Sequence, residues 1–188
     1  MMHIHQGDFI LRPLDPEDIH YLYRWLTDDC VLEFYEGRDK RFTREMIQEK
    51  YLTPSSRPIY RELVLWQGLP IGYMQIYPLS VEEYETYGYS LFEHIIGMDQ
   101  FIGEVTLWNQ GIGTGLIQTV CQWLEAHQEV DCLVMDPRAD NLRAIHVYEK
   151  CGFRKVKYLL NHEYHEGIQH DCWLMERRHK ENPFPTNS

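Results

Sequence analysis

Gln110-Gly111-Ile112-Gly113-Thr114-Gly115 is the segment whose composition and spacing point most directly to chemistry. Glycines at alternate positions let the backbone pass close to a ligand and aim successive N–H groups at it. Ile112, Leu116, Val120, Trp123 and Leu124 recur at helical spacing and predict a helix ending near Gln128. Its positive end points at the same place. The segment therefore reads as a diphosphate cradle made of main chain. No Gly-Lys-Ser/Thr follows, so it is not a Walker loop. The glycine spacing also departs from the dinucleotide fingerprint, and no strand–helix–strand unit opens the chain. A glycine-rich helix start that binds nothing would have the same composition.

Other residues narrow the ligand. The 188-residue chain carries a formal charge of −11, which argues against nucleic acid or an anionic membrane as partner. It fits a cationic small molecule, as it also fits a protein kept soluble by acidity. Between Ser80 and Phe92, Glu82, Glu83 and Glu85 alternate with Tyr84, Tyr87 and Tyr89, which reads as an acidic, tyrosine-rich loop. Such a loop is either a solvated surface or a set of carboxylates and flat hydroxylated rings for a cation. His162, His165 and His170 lack a paired carboxylate or cysteine frame, so no metal is expected. The five cysteines are widely spaced with no C-x-x-C pair, which fits a reducing cytoplasm without disulfides. No apolar run approaches the roughly 20 residues of a membrane span, and the start of the chain lacks the pattern of a signal peptide.

The surrounding elements follow from local pattern. Phe9–Pro13 reads as a strand, and Asp15-Pro16 opens a helix running to about Leu26. Thr43 opens a second helix toward Tyr51. Residues 62–66 and 71–77 form a hairpin about Gln67-Gly68-Leu69-Pro70. Residues 95–103 are a strand, and Cys132–Met135 a short buried one. Asp140 is expected to cap a helix from Asn141 to Lys150 that stops at Gly152. Residues 153–160 and 168–176 are the last strands. The fold class is α/β (α+β): one domain over residues 1–188, with a core at about 9–176 and a mixed, mostly antiparallel sheet covered by helices on both faces. Residues 182–188 are expected to be a disordered tail.

The string Asn141-x-Arg143-Ala144-Ile145-x-x-Tyr148-Glu149-Lys150-x-Gly152-Phe153, following the glycine loop, resembles the GNAT N-acetyltransferase superfamily. Gly97-Met98-Asp99-Gln100, Asp136-Pro137 after the fifth strand, and Trp25-Leu26 with Glu33-Phe34-Tyr35 resemble its aminoglycoside 6′-N-acetyltransferase branch. The similarity runs from about Phe9 to Glu176. Phe34-Tyr35 replace two tryptophans of that pattern, which alters the expected substrate wall.

The resemblance implies acetyl-CoA as co-substrate and no metal. It places acetyl-CoA on Phe101, Ile102, Gln110, Gly111, Ile112, Gly113, Thr114, Gly115, Asn141, Ala144 and Tyr148. Asp99 is implied as the base that frees an ammonium of its proton, or else as a partner of a core cation. A main-chain N–H near Phe101 would hold the developing oxyanion. Tyr148 is implied as the acid for the departing thiolate, or as a packing residue that touches the sulfur. The acceptor is implied to be a polycation, most specifically an aminoglycoside with a 6′-amine, held by Trp25, Tyr35, Glu82, Glu83, Asp99 and Asp136. Alternatives are another amine (a polyamine, a siderophore precursor or a protein N-terminus) or a non-catalytic CoA-binding domain. Either a monomer or a homodimer is compatible.

Overall fold

A computed structural model describes residues 3–179. The expected 182–188 tail lies outside them. One sheet runs through the molecule in the order β1-β2-β3-β4-β5-β6-β8-β7. The strands are β1 (Ile4–Gln6), β2 (Phe9–Pro13), β3 (Tyr60–Trp66), β4 (Leu69–Pro78), β5 (Ile95–Ile102), β6 (Cys132–Met135), β7 (Arg154–His165) and β8 (Ile168–Arg178). Every neighbouring pair is antiparallel except β5 and β6, which are parallel.

The helices are α1 (Ile19–Trp25), α2 (Asp29–Leu32), α3 (Arg44–Leu52), α4 (Val81–Tyr87), α5 (Ile112–His127) and α6 (Leu142–Lys150). Side chains alternate across a strand, so the sheet divides the core. Val64, Met74 and Met98 face α5 and α6, where Leu116, Val120, Ile145 and Tyr148 cover them. Leu63, Tyr73 and Phe101 face the opposite way, against Leu22, Trp25 and Ile47 of α1 and α3. Tyr77 and Ile95 continue that second face toward the tyrosines of α4.

Several local readings change. Residues 81–87 are helix α4 rather than loop. Ser80 and Glu83 form a capping box at its start, and Gly88, in the left-handed region, ends it. With no residue of α4 buried, apolar periodicity gave no sign of it. Asn141, not Asp140, caps α6, its side chain accepting from the Ala144 N–H. Asp140 instead pairs with Arg138. β7 extends to His165, because its polar residues lie on an edge strand held by β8. β1 and α2 are short pieces without a sequence signal of their own.

Candidate active site

The parallel pairing of β5 and β6 ends at Gly97 opposite Val134. β6 stops at Met135, whereas β5 continues to Ile102 on its pairing with β4. From Met98 onward β5 therefore has an edge with no neighbouring strand among the described residues, and a cavity of about 740 Å³ occupies the opening. Gly103 donates its N–H to the Ile71 carbonyl of β4 at 2.8 Å. Main-chain groups alternate in direction along a strand, so those of Phe101 and Asp99 also face β4. The N–H groups aimed into the opening are those of Gln100 and Ile102, the residues on either side of Phe101.

The two faces of the sheet bring opposite charge to this opening. On the α5/α6 face the cavity is lined by Gly111, Gly113 and Thr114 with Arg143, His146 and Lys150. On the other face it is lined by the carboxylates Glu36, Asp99, Asp136 and Glu163, with the rings of Tyr35, Phe101 and Tyr164. Lys40 and Arg138 stand near them, and Arg138 is committed to Asp140 and the Glu33 carbonyl. A site of this polarity suits a ligand that is anionic at one end and cationic at the other.

Asp99 accepts a 2.6 Å hydrogen bond from the Gln75 amide. Burial pushes its carboxyl up to about 7, and the charge of Asp136 adds to this, while Gln75 and the Tyr77 hydroxyl act against it. That value suits a group that must take up a proton near neutrality. Gly97 makes room for Tyr77: a Cβ on Gly97 would lie 2.4 Å from the Tyr77 ring. Asp136 follows β6 and accepts from the Tyr87 hydroxyl at 2.9 Å and from His162 Nε2 at 2.8 Å, both on Oδ2. The bond to Asp136 raises the His162 pKa.

Tyr148 on α6 reaches the opening from the other face and receives a 2.6 Å hydrogen bond from Gln100 Nε2. Burial raises its pKa, and the Gln100 bond opposes the rise. Asn141 and Ala144 line the cavity from the same helix.

The glycine loop divides by function. Gly111 has φ +79°, with nothing among the described residues within 4 Å of a Cβ placed there, and Gly113 would meet among them only Ile102 Cδ1 at 3.7 Å. Both stand beside the cavity with space around them. At Gly115 a Cβ would lie 3.1 Å from Phe9, so close packing on β2 accounts for that glycine, and it does not line the cavity. Ile112 is buried in the core. Gln110 is exposed and donates to the Thr106 carbonyl.

Three residues assigned to the acceptor lie elsewhere. Trp25 is buried on Gly103, where a Cβ would fall 2.1 Å from its indole, and its N–H bonds Glu104. It braces the end of β5 and does not line the cavity. Glu82 is exposed on α4. Glu83 spends its carboxylate on Arg57 and the Ser80 N–H. Glu36, Glu163 and Gln100 do line the cavity and were not singled out by sequence reasoning. Gln100 adjoins Asp99 in the same motif and was legible in it. Glu36 and Glu163 come from segments distant in sequence and carry no local signal. Arg143 stacks over the Trp108 ring at 3.9 Å and the Phe34 ring at 4.5 Å.

Among the described residues, no group of three or more His, Cys, Asp or Glu could hold a metal ion. No helix among them is long and apolar enough to cross a membrane. All five cysteines are free.

Residues 15–159 match the family described as the acetyltransferase (GNAT) domain. An aminoglycoside N(6′)-acetyltransferase type 1 from Klebsiella pneumoniae is 30% identical over 147 residues, 77% of this chain and 73% of the relative. The solved structure of AAC(6′)-Ib in complex with ribostamycin and coenzyme A superposes with a TM-score of 0.73 at 25% identity, covering 92% of this chain and 94% of the other. A spermidine N-acetyltransferase chimera from Vibrio cholerae and hSSAT shares the fold at 16% identity, with a TM-score of 0.69 over 92% of this chain and 96% of its own. With its two-faced opening between β5 and β6, the chain belongs to the GNAT acetyltransferase family, on the aminoglycoside N(6′)-acetyltransferase branch, and is an acetyl-CoA-dependent N-acetyltransferase.

Proposed function

We propose that this enzyme acetylates a primary amine of a polycationic small molecule, the 6′-amine of an aminoglycoside. The observation that carries the reading is the acidic face of the cavity, where Asp99, Asp136 and Glu163 share one wall with Tyr35, Phe101 and Tyr164, beside Glu36, which is already held by Lys50 and Tyr51. Each carboxylate–ammonium hydrogen bond contributes roughly 1.5–3 kcal/mol. The rings offer flat surfaces to sugars. The similarity to a relative named for aminoglycosides supports the same acceptor.

The residues then take distinct roles. Gly111, Gly113 and Thr114, at the start of α5, hold the diphosphate of acetyl-CoA, with Arg143 and Lys150 nearby. Asn141 and Ala144 border its pantetheine arm. Asp99 accepts the proton of the acceptor ammonium, leaving a free amine to attack the thioester carbonyl. The Gln100 and Ile102 N–H groups donate to that carbonyl oxygen as negative charge builds on it. As the C–N bond forms and the C–S bond breaks, Tyr148 gives its proton to the departing sulfur; the nitrogen sheds its surplus proton, and the Tyr148 phenolate and protonated Asp99 return to their starting states by exchange with solvent.

The test uses two aminoglycosides that differ only at the 6′ position, amine in one and hydroxyl in the other. The amine form is acetylated at that nitrogen and the hydroxyl form is left unmodified. Turnover of spermidine or a peptide, with none of any aminoglycoside, overturns the acceptor assignment and leaves the acetyltransferase intact.

A further inference from the structure

Gln100 forms part of the cavity wall, and its side chain makes two contacts. Nε2 lies 2.6 Å from the Tyr148 hydroxyl and 3.9 Å from the Met135 sulfur. Its Oε1 is buried and, among the described residues, without a partner. A thioether sulfur can accept a hydrogen bond and cannot donate one. The amide nitrogen therefore belongs at the Tyr148–Met135 end, and the amide keeps that orientation although its oxygen goes unsatisfied. A buried acceptor without a partner is costly and calls for a reason.

The consequence falls on Tyr148. Because Gln100 donates to the phenolic oxygen, it occupies a lone pair and leaves the Tyr148 proton uncommitted. Tyr148 donates to no residue among those described. Its O–H is then free to point into the opening. With the amide reversed, Oε1 would take that proton as a hydrogen bond and hold it away from the reaction.

We propose that Gln100 is a positioning residue for Tyr148, fixing the hydroxyl as a donor toward the departing sulfur. This rests on the reading of Tyr148 as the acid. Gln100 also supports the phenolate left when the proton departs, as a neutral donor next to a new negative charge.

The experiment is a double-mutant cycle on the full chain, read as the single-turnover acetylation rate at saturating acetyl-CoA and amine. The substitutions are Gln100→Met, which keeps length and removes the donor, and Gln100→Glu, which offers only acceptors. Each is made alone and with Tyr148→Phe. Circular dichroism and calorimetric acetyl-CoA affinity establish which variants fold, and either Gln100 variant suffices for the cycle. In the Tyr148 protein, Gln100→Met lowers the rate about tenfold, as expected for one lost hydrogen bond to a group that becomes charged. Gln100→Glu lowers it further, because its carboxylate accepts a hydrogen bond from the Tyr148 hydroxyl and turns that O–H away from the sulfur. In the Tyr148→Phe background both substitutions change the rate by less than about twofold, since the group they act on is gone. Equal losses in both backgrounds overturn the positioning role while leaving Tyr148 as acid. A Tyr148→Phe enzyme as fast as the parent overturns the acid itself, and the positioning role with it.

Discussion

Replacing Asp99 by Asn keeps an oxygen within reach of the Gln75 amide and removes a base. Burial and the Asp136 charge hold the Asp99 carboxyl at about 7, against an ordinary value of 3.8. The acid limb of kcat/KM should lie near pH 7 in the parent, far above the ordinary carboxylate range. General-base effects of about 10²–10⁴ correspond to about 3–5 kcal/mol of barrier. Asp99→Asn should lower kcat by that factor, leave calorimetric acetyl-CoA affinity within about twofold, and abolish the acid limb. Stability moves the other way. A raised carboxyl pKa means that the folded state binds more protons than the unfolded chain between pH 3.8 and about 7. The contribution is fully present below that window and is lost as pH rises through it. Asp99→Asn should therefore gain stability relative to the parent above pH 7, by at most about 4 kcal/mol at 1.36 kcal/mol per unit and by less where cavity water screens the charge. Turnover within about threefold of the parent, or an acid limb that survives the substitution, would refute the base assignment.

Three further outcomes follow from the same geometry. Gly113→Val, at a position with open space, should weaken acetyl-CoA by at least about tenfold in calorimetry with an unchanged melting temperature, whereas Gly115→Val, too large for the space beside Phe9, should lower stability and leave affinity alone; the reverse pattern would reassign the loop. Asp136→Asn should raise the apparent KM for the amine more than it lowers kcat, and should move the acid limb to lower pH because a charge that raises the Asp99 pKa is removed; an unmoved limb breaks that electrostatic link. Glu62 is 1% exposed, and burial pushes its carboxyl up from 4.5 to about 8. The folded state thus loses stability as pH rises through that window, and Glu62→Gln should raise the melting temperature at pH 9 relative to pH 5; parallel melting curves would show that the carboxyl is ordinary.

Much of this protein was readable where neighbours in sequence carry the signal. The glycine loop, the apolar stripe of α5 and the Asn141-to-Phe153 string depend on spacings of a few residues, as do the β3–β4 turn and the strand bearing Asp99. Local periodicity and turn chemistry decide such elements before any distant contact forms. Helix α4 escaped because it buries nothing, so its only local marks were a serine three residues before a glutamate and a closing glycine. What the chain folded in three dimensions decided was which residues meet. The end of β6 at Met135 opens the cleft, and the direction of the β5 main chain makes Gln100 and Ile102, on either side of Phe101, the residues whose N–H groups face it. Trp25 belongs to packing because Gly103 lies beneath it, and Gly115 because Phe9 does. Glu36 and Glu163 line the same cavity as Asp99 only because the turn after α2 and strand β7 converge on one face of the sheet. A residue's type and its near neighbours limit what chemistry it can do, whereas strand register, pleat and the ending of one strand before its neighbour determine where that side chain points.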